Sequence, residues 1–203
     1  MRRIDHLTPR YIYNRLSVIL DEKLHPNHPW LTKQSVSLLD TLLSSQDIGV
    51  EFGSGRSTKW FLNKLNHLTS IESDKDWYNK IGSELGLEIK NGRLDYQFAE
   101  TEQEYSSIIN KFKDDSIDFA LVDGKHRDLC ANLMVNKVKV GGLLVVDNVN
   151  WFIPNNSTQS PNSQRSTDGC SSEGWEKFVK SVEGWRLIWT SNGVWDTSIW
   201  IRK

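Results

Sequence analysis

The chain of 203 residues is poor in cysteine, with only Cys130 and Cys170 and no CxxC spacing. That argues against a structural zinc site and for reduced thiols in a cytoplasmic setting. Long apolar runs are also missing. None approaches the roughly 20 residues needed to cross a bilayer, so no membrane partner is expected. The opening stretch MRRIDHLTPRYIYNRLSVIL has basic residues but no unbroken apolar segment, so no signal peptide is expected either. Charge of one sign is lacking too: 25 Lys and Arg stand against 26 Asp and Glu, a net charge of −1. No overall field draws the chain to nucleic acid, and none is expected as a partner. No internal repeat breaks the sequence.

What is present is an alternation of short apolar runs and helical patterns. Residues of about 8–22 and 31–44 read as amphipathic helices, separated by HPNHPW, whose prolines enforce a break. DIGVEFG then reads as a short buried strand, STKWFLNKLN as a helix and HLTSIES as a second strand. DKDWYNKIGSELG is a helix with Gly86 as its stop, LDYQFAE a third strand and EYSSIINKFK a helix. IDFALVDG and GGLLVVDNV are near-continuous apolar runs of the kind buried on both faces of a parallel sheet, with the helix RDLCANLMVNKVKV between them. WRLIWTSNGVWDTSIWIRK reads as two strands joined at Asn192-Gly193. The pattern predicts an α/β fold with a doubly wound, mostly parallel sheet and an antiparallel edge. We divide the chain into an N-terminal helical extension, 1–45, and one domain, 46–203. A polar Ser-rich loop at 153–174 interrupts the rhythm, either as a substrate lid or as a linker.

The segment VEFGSGRST, 50–58, poses the functional question. A strand that delivers glycines to a helix start presents bare backbone N–H groups to a ligand. A dinucleotide fingerprint needs a third glycine where this chain has Thr58, and a P-loop needs a Gly-Lys-Ser/Thr that is absent. Glu51 lies just before the glycines, and a buried carboxylate there repels a pyrophosphate but suits a cation. Glu72 ends the next strand, where an acid in doubly wound folds accepts hydrogen bonds from ribose. The loop therefore suits a nucleoside with a cationic amino-acid tail.

VEFGSGRST with SIES resembles the first two motifs of class I S-adenosylmethionine-dependent methyltransferases, and the likeness runs through DFALVDGKHR and GGLLVVDN to the terminal hairpin, about 48–203. The resemblance implies a seven-stranded sheet with its last strand antiparallel and S-adenosylmethionine as methyl donor. It places Glu51, Gly53, Ser54 and Gly55 on the methionine moiety, Ser57 at the helix start, Glu72 on the ribose and Glu100 beside the adenine. VDGKHR and VVDN narrow the likeness to small-molecule O-methyltransferases of the catechol type, which coordinate a divalent cation. Asp123, Asp147 and Asn148 match that ligand set, so Mg²⁺ or a similar ion is implied. Asp123 and His126 are the implied catalytic residues, with His126 as the base taking the acceptor's proton. The Asn/Asp-Pro-Pro-aromatic motif of N-methylating enzymes is absent after the fourth strand. A small hydroxylated metabolite is therefore the implied acceptor, and a homodimer is possible. Trp30 is the aromatic residue suspected of touching a ligand. His6, His25, His28 and His67 carry no assigned role. The rival readings are a non-catalytic module that kept the nucleoside pocket and, more distantly, an NAD-dependent oxidoreductase.

Overall fold

Each predicted strand supplies alternating side chains to two apolar layers, and helices close both. The computed structural model describes residues 7–156, 160–161 and 163–203, so His6 and part of the 153–174 loop lie outside it. In chain order the elements are α1 (Pro9–Leu24), α2 (Lys33–Leu42), β1 (Ile48–Phe52), α3 (Arg56–Leu62), β2 (His67–Glu72), α4 (Lys75–Glu84) and α5 (Gly86–Lys90). Then follow β3 (Leu94–Phe98), α6 (Glu102–Ile109), β4 (Ile117–Val122), α7 (Arg127–Met134), β5 (Val138–Asp147), α8 (Glu173–Ser181), β6 (Arg186–Ser191) and β7 (Asp196–Ile201), with a 3-10 turn at Val149–Trp151 after β5.

The seven strands form one sheet in the order β3-β2-β1-β4-β5-β7-β6. Strands β1 to β5 pair in parallel, whereas β7 runs antiparallel to both β5 and β6. The strand order reverses between β1 and β4, which opens a crevice at their carboxyl ends. Because strand side chains alternate, Val50 and Phe52 join Val122, Val146 and Trp200 in a core layer closed by Tyr105, Ala131 and Phe178. Leu121, Val145 and Ile199 face the other layer with Leu39, Phe61 and Ile81. Helix starts carry hydroxyl or acidic caps at Thr8, Thr32, Asp74, Thr101 and Ser172, each accepting a backbone N–H of the first turn.

Three boundaries differ from the sequence reading. The helix after β4 ends at Met134, and Val138 and Val140 belong to β5, where Val138 pairs with Ile117. Their β-branched side chains favour the strand over another helical turn. Gly86 does not end the helical region, since α5 resumes there. Helix α8 lies at the margin of the predicted polar loop; Ser172 caps it, and Trp175 and Phe178 bury its inner face.

Candidate active site

Strand β1 carries Glu51 into the crevice on the face opposite Val50 and Phe52. Glu51 is fully buried. Its Oε2 accepts hydrogen bonds from Thr58 Oγ1 at 2.7 Å and Ser70 Oγ at 2.8 Å. Its Oε1 is buried with no hydrogen-bond partner among the described residues. Burial pushes the carboxyl up to about 7, the hydroxyls of Ser57, Thr58 and Ser70 oppose that rise, and the charge of Asp123 adds to it. A buried oxygen without a donor is costly, so this one marks a place where a ligand donor would be stabilising.

The glycines beside it do different jobs. Gly53 has φ +93°, and a Cβ there would come within 2.9 Å of Gly124 N. Gly124 is bound by the same crossing, since its own Cβ would lie 2.9 Å from Gly53 N. These two glycines let the loops after β1 and β4 cross backbone to backbone. Gly55 is extended, and a Cβ there would meet only the Trp77 ring, at 3.8 Å. Its bareness leaves the loop surface open. Thr58, which replaces the third glycine of a dinucleotide motif, accepts the Gly55 N–H at 2.9 Å and donates to Glu51. The residue that excluded a dinucleotide thus holds the Glu51 carboxylate in place.

Glu72 is satisfied by the chain itself. Its Oε2 accepts from Ser54 N at 2.9 Å and Ser54 Oγ at 2.8 Å, and its Oε1 from Ser73 N at 2.7 Å and Asp74 N at 2.8 Å. Ser54 also meets Tyr96 Oη at 2.7 Å, and its carbonyl accepts from Trp77 Nε1 at 2.7 Å. Two carboxylate oxygens offer about four lone-pair sites, so any further donor at Glu72 would take the place of one of these four. Glu100 is exposed beyond β3, and its backbone, through N and O, contacts Glu104 and His126.

The ends of β4 and β5 hold a different arrangement. Arg127, the first residue of α7, folds back over both strands. Its Nε donates to Gly124 O at 2.9 Å, and its Nη2 to Asp123 O at 2.8 Å and Asp123 Oδ1 at 2.9 Å. Its Nη1 donates to Asp147 O at 2.6 Å and Asn148 Oδ1 at 3.2 Å. The Asp147 carboxylate accepts from Thr197 Oγ1 at 2.6 Å and Asn148 Nδ2 at 2.8 Å. Burial raises the pKa of Asp147 well above the usual carboxylate range, and the charge of Asp123 raises it further. Asp123 is pushed up to about 6 by burial, against the pull of Arg127.

The structure brings Asp123, Asp147 and Asn148 together, but a hard divalent cation does not fit them as arranged. Asp123 and Asn148 each give an oxygen to the guanidinium, and the Asp147 carboxylate is turned to Thr197 and Asn148. Among the described residues no cluster of three or more His, Cys, Asp or Glu is placed to hold a metal ion. The three residues expected as metal ligands thus lie together with the chain's own cation, Arg127, among their oxygens. Arg127 had been given no role.

His126, the base implied by the resemblance, stands at the start of α7. It caps α7 in the left-handed region, at φ 49°, and its side chain points toward the β3–α6 connection. There Nε2 meets Glu100 O at 3.1 Å and Nδ1 lies 3.4 Å from Glu102 Oε1. The ring packs edge-on against Tyr105 at 5.6 Å. Both ring nitrogens face this side, so His126 is not presented to an acceptor above β4 and β5.

A cavity of about 560 Å³ opens on the same edge of the sheet, between α1, the start of α2 and the β6–β7 turn. Trp30, Arg56 and Trp195 line it, and the Arg56 guanidinium lies 4.9 Å from the Trp30 ring centre. Trp30, the aromatic residue suspected of touching a ligand, lines this cavity. A buried hydroxyl network joins this region to the crevice. Thr32 N donates to Thr197 Oγ1 at 3.1 Å, and Thr32 Oγ1 and Ser35 Oγ meet Thr190 Oγ1 at 2.5 and 2.7 Å. The described part of the Ser-rich loop is anchored at this edge too. Ser160 and Ser163 are buried, and Ser160 Oγ donates to Asp196 Oδ1 at 2.5 Å.

No family model matches the chain, and no curated protein matches it by sequence. Solved structures do match its fold. An O-methyltransferase from Bacillus cereus in complex with SAH superposes with a TM-score of 0.61 at 14% identity, over 94% of this chain and 91% of that one. A methyltransferase from Geobacter sulfurreducens gives 0.57 at 13% identity, over 99% and 94% of the two chains. An rRNA methylase from Streptococcus thermophilus gives 0.52 at 12% identity, over 84% and 94%. The fold is thus the Rossmann-like one of class I methyltransferases, as the motifs implied. Since these similar structures carry different acceptors in their names, the acceptor must be argued from this chain's own residues.

Proposed function

We propose that the chain is an S-adenosylmethionine-dependent methyltransferase acting on a hydroxyl group of a small molecule. The observation that carries this reading is Glu51 Oε1, a buried carboxylate oxygen without a donor beside the bare Gly55 loop. An ammonium group is the donor that such an oxygen suits best, because it satisfies the hydrogen bond and the charge together. S-adenosylmethionine supplies an electrophilic methyl group on a sulfonium. Glu51 and the Gly53–Gly55 backbone hold its amino-acid end, Glu72 its ribose once Ser54 yields a lone pair, and the β3–α6 connection at Glu100 flanks the base.

The acceptor enters through the cavity lined by Trp30, Arg56 and Trp195, whose aromatic walls suit a planar or apolar body with polar substituents. Its hydroxyl oxygen attacks the sulfonium methyl in line, the S–CH3 bond breaks to leave the neutral thioether S-adenosylhomocysteine, and the hydroxyl proton passes to Asp123. That carboxylate is partly exposed, with one oxygen held by Arg127 and the other making no hydrogen bond to the described residues. With a pKa near 6, Asp123 is ionised at neutral pH and close enough to it to act as a general base. No helix among the described residues is long and apolar enough to cross a membrane.

The test is methyl transfer from isotopically labelled S-adenosylmethionine to a panel of hydroxylated small molecules. Labelled product from at least one acceptor supports the proposal. Donor binding without transfer to any acceptor favours a non-catalytic module on the same fold, and absence of donor binding removes both readings.

A further inference from the structure

The guanidinium of Arg127 spends every N–H it has on the ends of β4 and β5. A guanidinium offers five donors, and here they reach Gly124 O, Asp123 O, Asp123 Oδ1, Asp147 O and Asn148 Oδ1. These acceptors include oxygens of all three residues matched above to a metal-binding pattern. The arrangement is tight, with all five distances between 2.6 and 3.2 Å. Arg127 is anchored from behind as well, its guanidinium 5.8 Å from the Phe152 ring centre.

We infer that Arg127 is a built-in cation that replaces a divalent metal at the β4–β5 edge, so that this chain works without one. The Asp123 carboxylate, the Asn148 amide oxygen and the Asp147 backbone carbonyl meet the guanidinium there, with the buried Asp147 carboxylate at the same strand end, and such a cluster demands positive charge. In this chain the charge comes from the polypeptide, fixed by geometry and independent of ion concentration. The substitution has a chemical consequence. A metal keeps open positions that bind and polarise an acceptor oxygen, whereas Arg127 has no donor to spare. It holds Asp123 and Asn148 in place and leaves recognition of the acceptor to other groups. Arg127 is a positioning residue, and the hydroxyl is activated by a carboxylate rather than by a Lewis acid. The sequence-level departure is small, since Arg127 lies four residues past Asp123, one helical turn, where α7 begins.

The inference goes beyond methyl transfer and is tested without it, by Mn²⁺ titration followed through the electron paramagnetic resonance signal of the free ion. The wild-type chain should leave that signal unchanged at sub-millimolar Mn²⁺. Arg127→Ala should deplete it with one-to-one stoichiometry, an affinity gain of roughly tenfold or more, because oxygen ligands and negative charge are released together. Adding Asp147→Asn to that variant should abolish the gain. Arg127→Lys, which keeps a cation, should not bind. Should the alanine variant fail to fold, Arg127→Gln carries the gain measurement. One-to-one Mn²⁺ binding by the wild type that is lost in Asp147→Asn would overturn the inference, as would a folded alanine or glutamine variant that gains nothing. Because no methyl donor is present, these outcomes are independent of whether the chain transfers methyl groups.

Discussion

Glu51 on β1 and the Asp123–Asp147 pair on β4 and β5 are carboxylates at neighbouring strand ends, yet the protein satisfies them in opposite ways. Glu51 receives hydrogen bonds from two hydroxyls on one oxygen, while the other makes no hydrogen bond to the described residues. Asp123 and Asp147 share an arginine, a threonine and an asparagine, and the arginine has no donor left. Asp147 is closed on both carboxylate oxygens by its own chain and points inward to architecture, whereas Glu51 and Asp123 each keep one oxygen without a hydrogen bond to the described residues and stay open to a ligand. Similar residues at similar places in a sheet can thus do different work, and the difference lies in the donors that surround them.

The largest effect expected from this contrast is on stability. Arg127→Ala leaves Asp123 and Asn148 without their donor and should cost about 3 kcal/mol, since five charge-assisted hydrogen bonds are lost at a partly exposed ion pair. Denaturant unfolding at neutral pH measures it. A loss well under about 1 kcal/mol would mean the edge is as open as Glu51 and would erase the contrast.

Glu51→Gln should act in the other direction. It removes the charge that faces the ligand, so S-adenosylmethionine binding should weaken by about 1.5–3 kcal/mol, roughly 10- to 150-fold. The free protein should not lose stability at about pH 8, because it no longer buries an ionised carboxylate. Calorimetry and unfolding on the same variant separate the two. Unchanged binding would show that the open oxygen serves no ligand.

Ser54→Ala should give the smallest change. It removes one of the four hydrogen bonds on Glu72 and frees a lone pair for a ribose. Adenosine-containing ligands should bind with equal or slightly higher affinity, by no more than about 1 kcal/mol. A severe loss would mean that Ser54 contacts the ligand directly.

The sequence displayed the sheet and its order of construction clearly, because apolar runs such as ALV and LLVV in the buried strands leave little choice of element. It displayed the loop after β1 too, since Glu51, the glycines and Glu72 are close in sequence and the structure places them together. What it could not display was the closure of long-range contacts. Arg127 stands one turn past Asp123, but its reach to Asp147 and Asn148 spans two strands. Likewise, the left-handed backbone at His126 turns that side chain to Glu100 and Glu102, which no spacing rule predicts. Nothing local in VDGKHR marks Gly124 as the residue whose contact with Gly53 allows the two loops to cross. Helix α8 was hidden by the polar composition that precedes it.

The most direct test of Glu51 as the ligand's counter-charge is proton linkage. Its folded-state pKa is raised from 4.5 to about 7, so the protonated form is favoured in the free protein. The stability it contributes is fully present below about pH 4.5 and is lost as pH rises through about 7. A bound cation favours the carboxylate, so binding should release a proton and affinity should rise with pH up to about 7. Calorimetric titration of S-adenosylmethionine near pH 7, in two buffers of different ionisation enthalpy, reads that proton. One-site binding with net proton release that disappears in Glu51→Gln is the predicted result. Binding without proton release, or no binding at all, would contradict it.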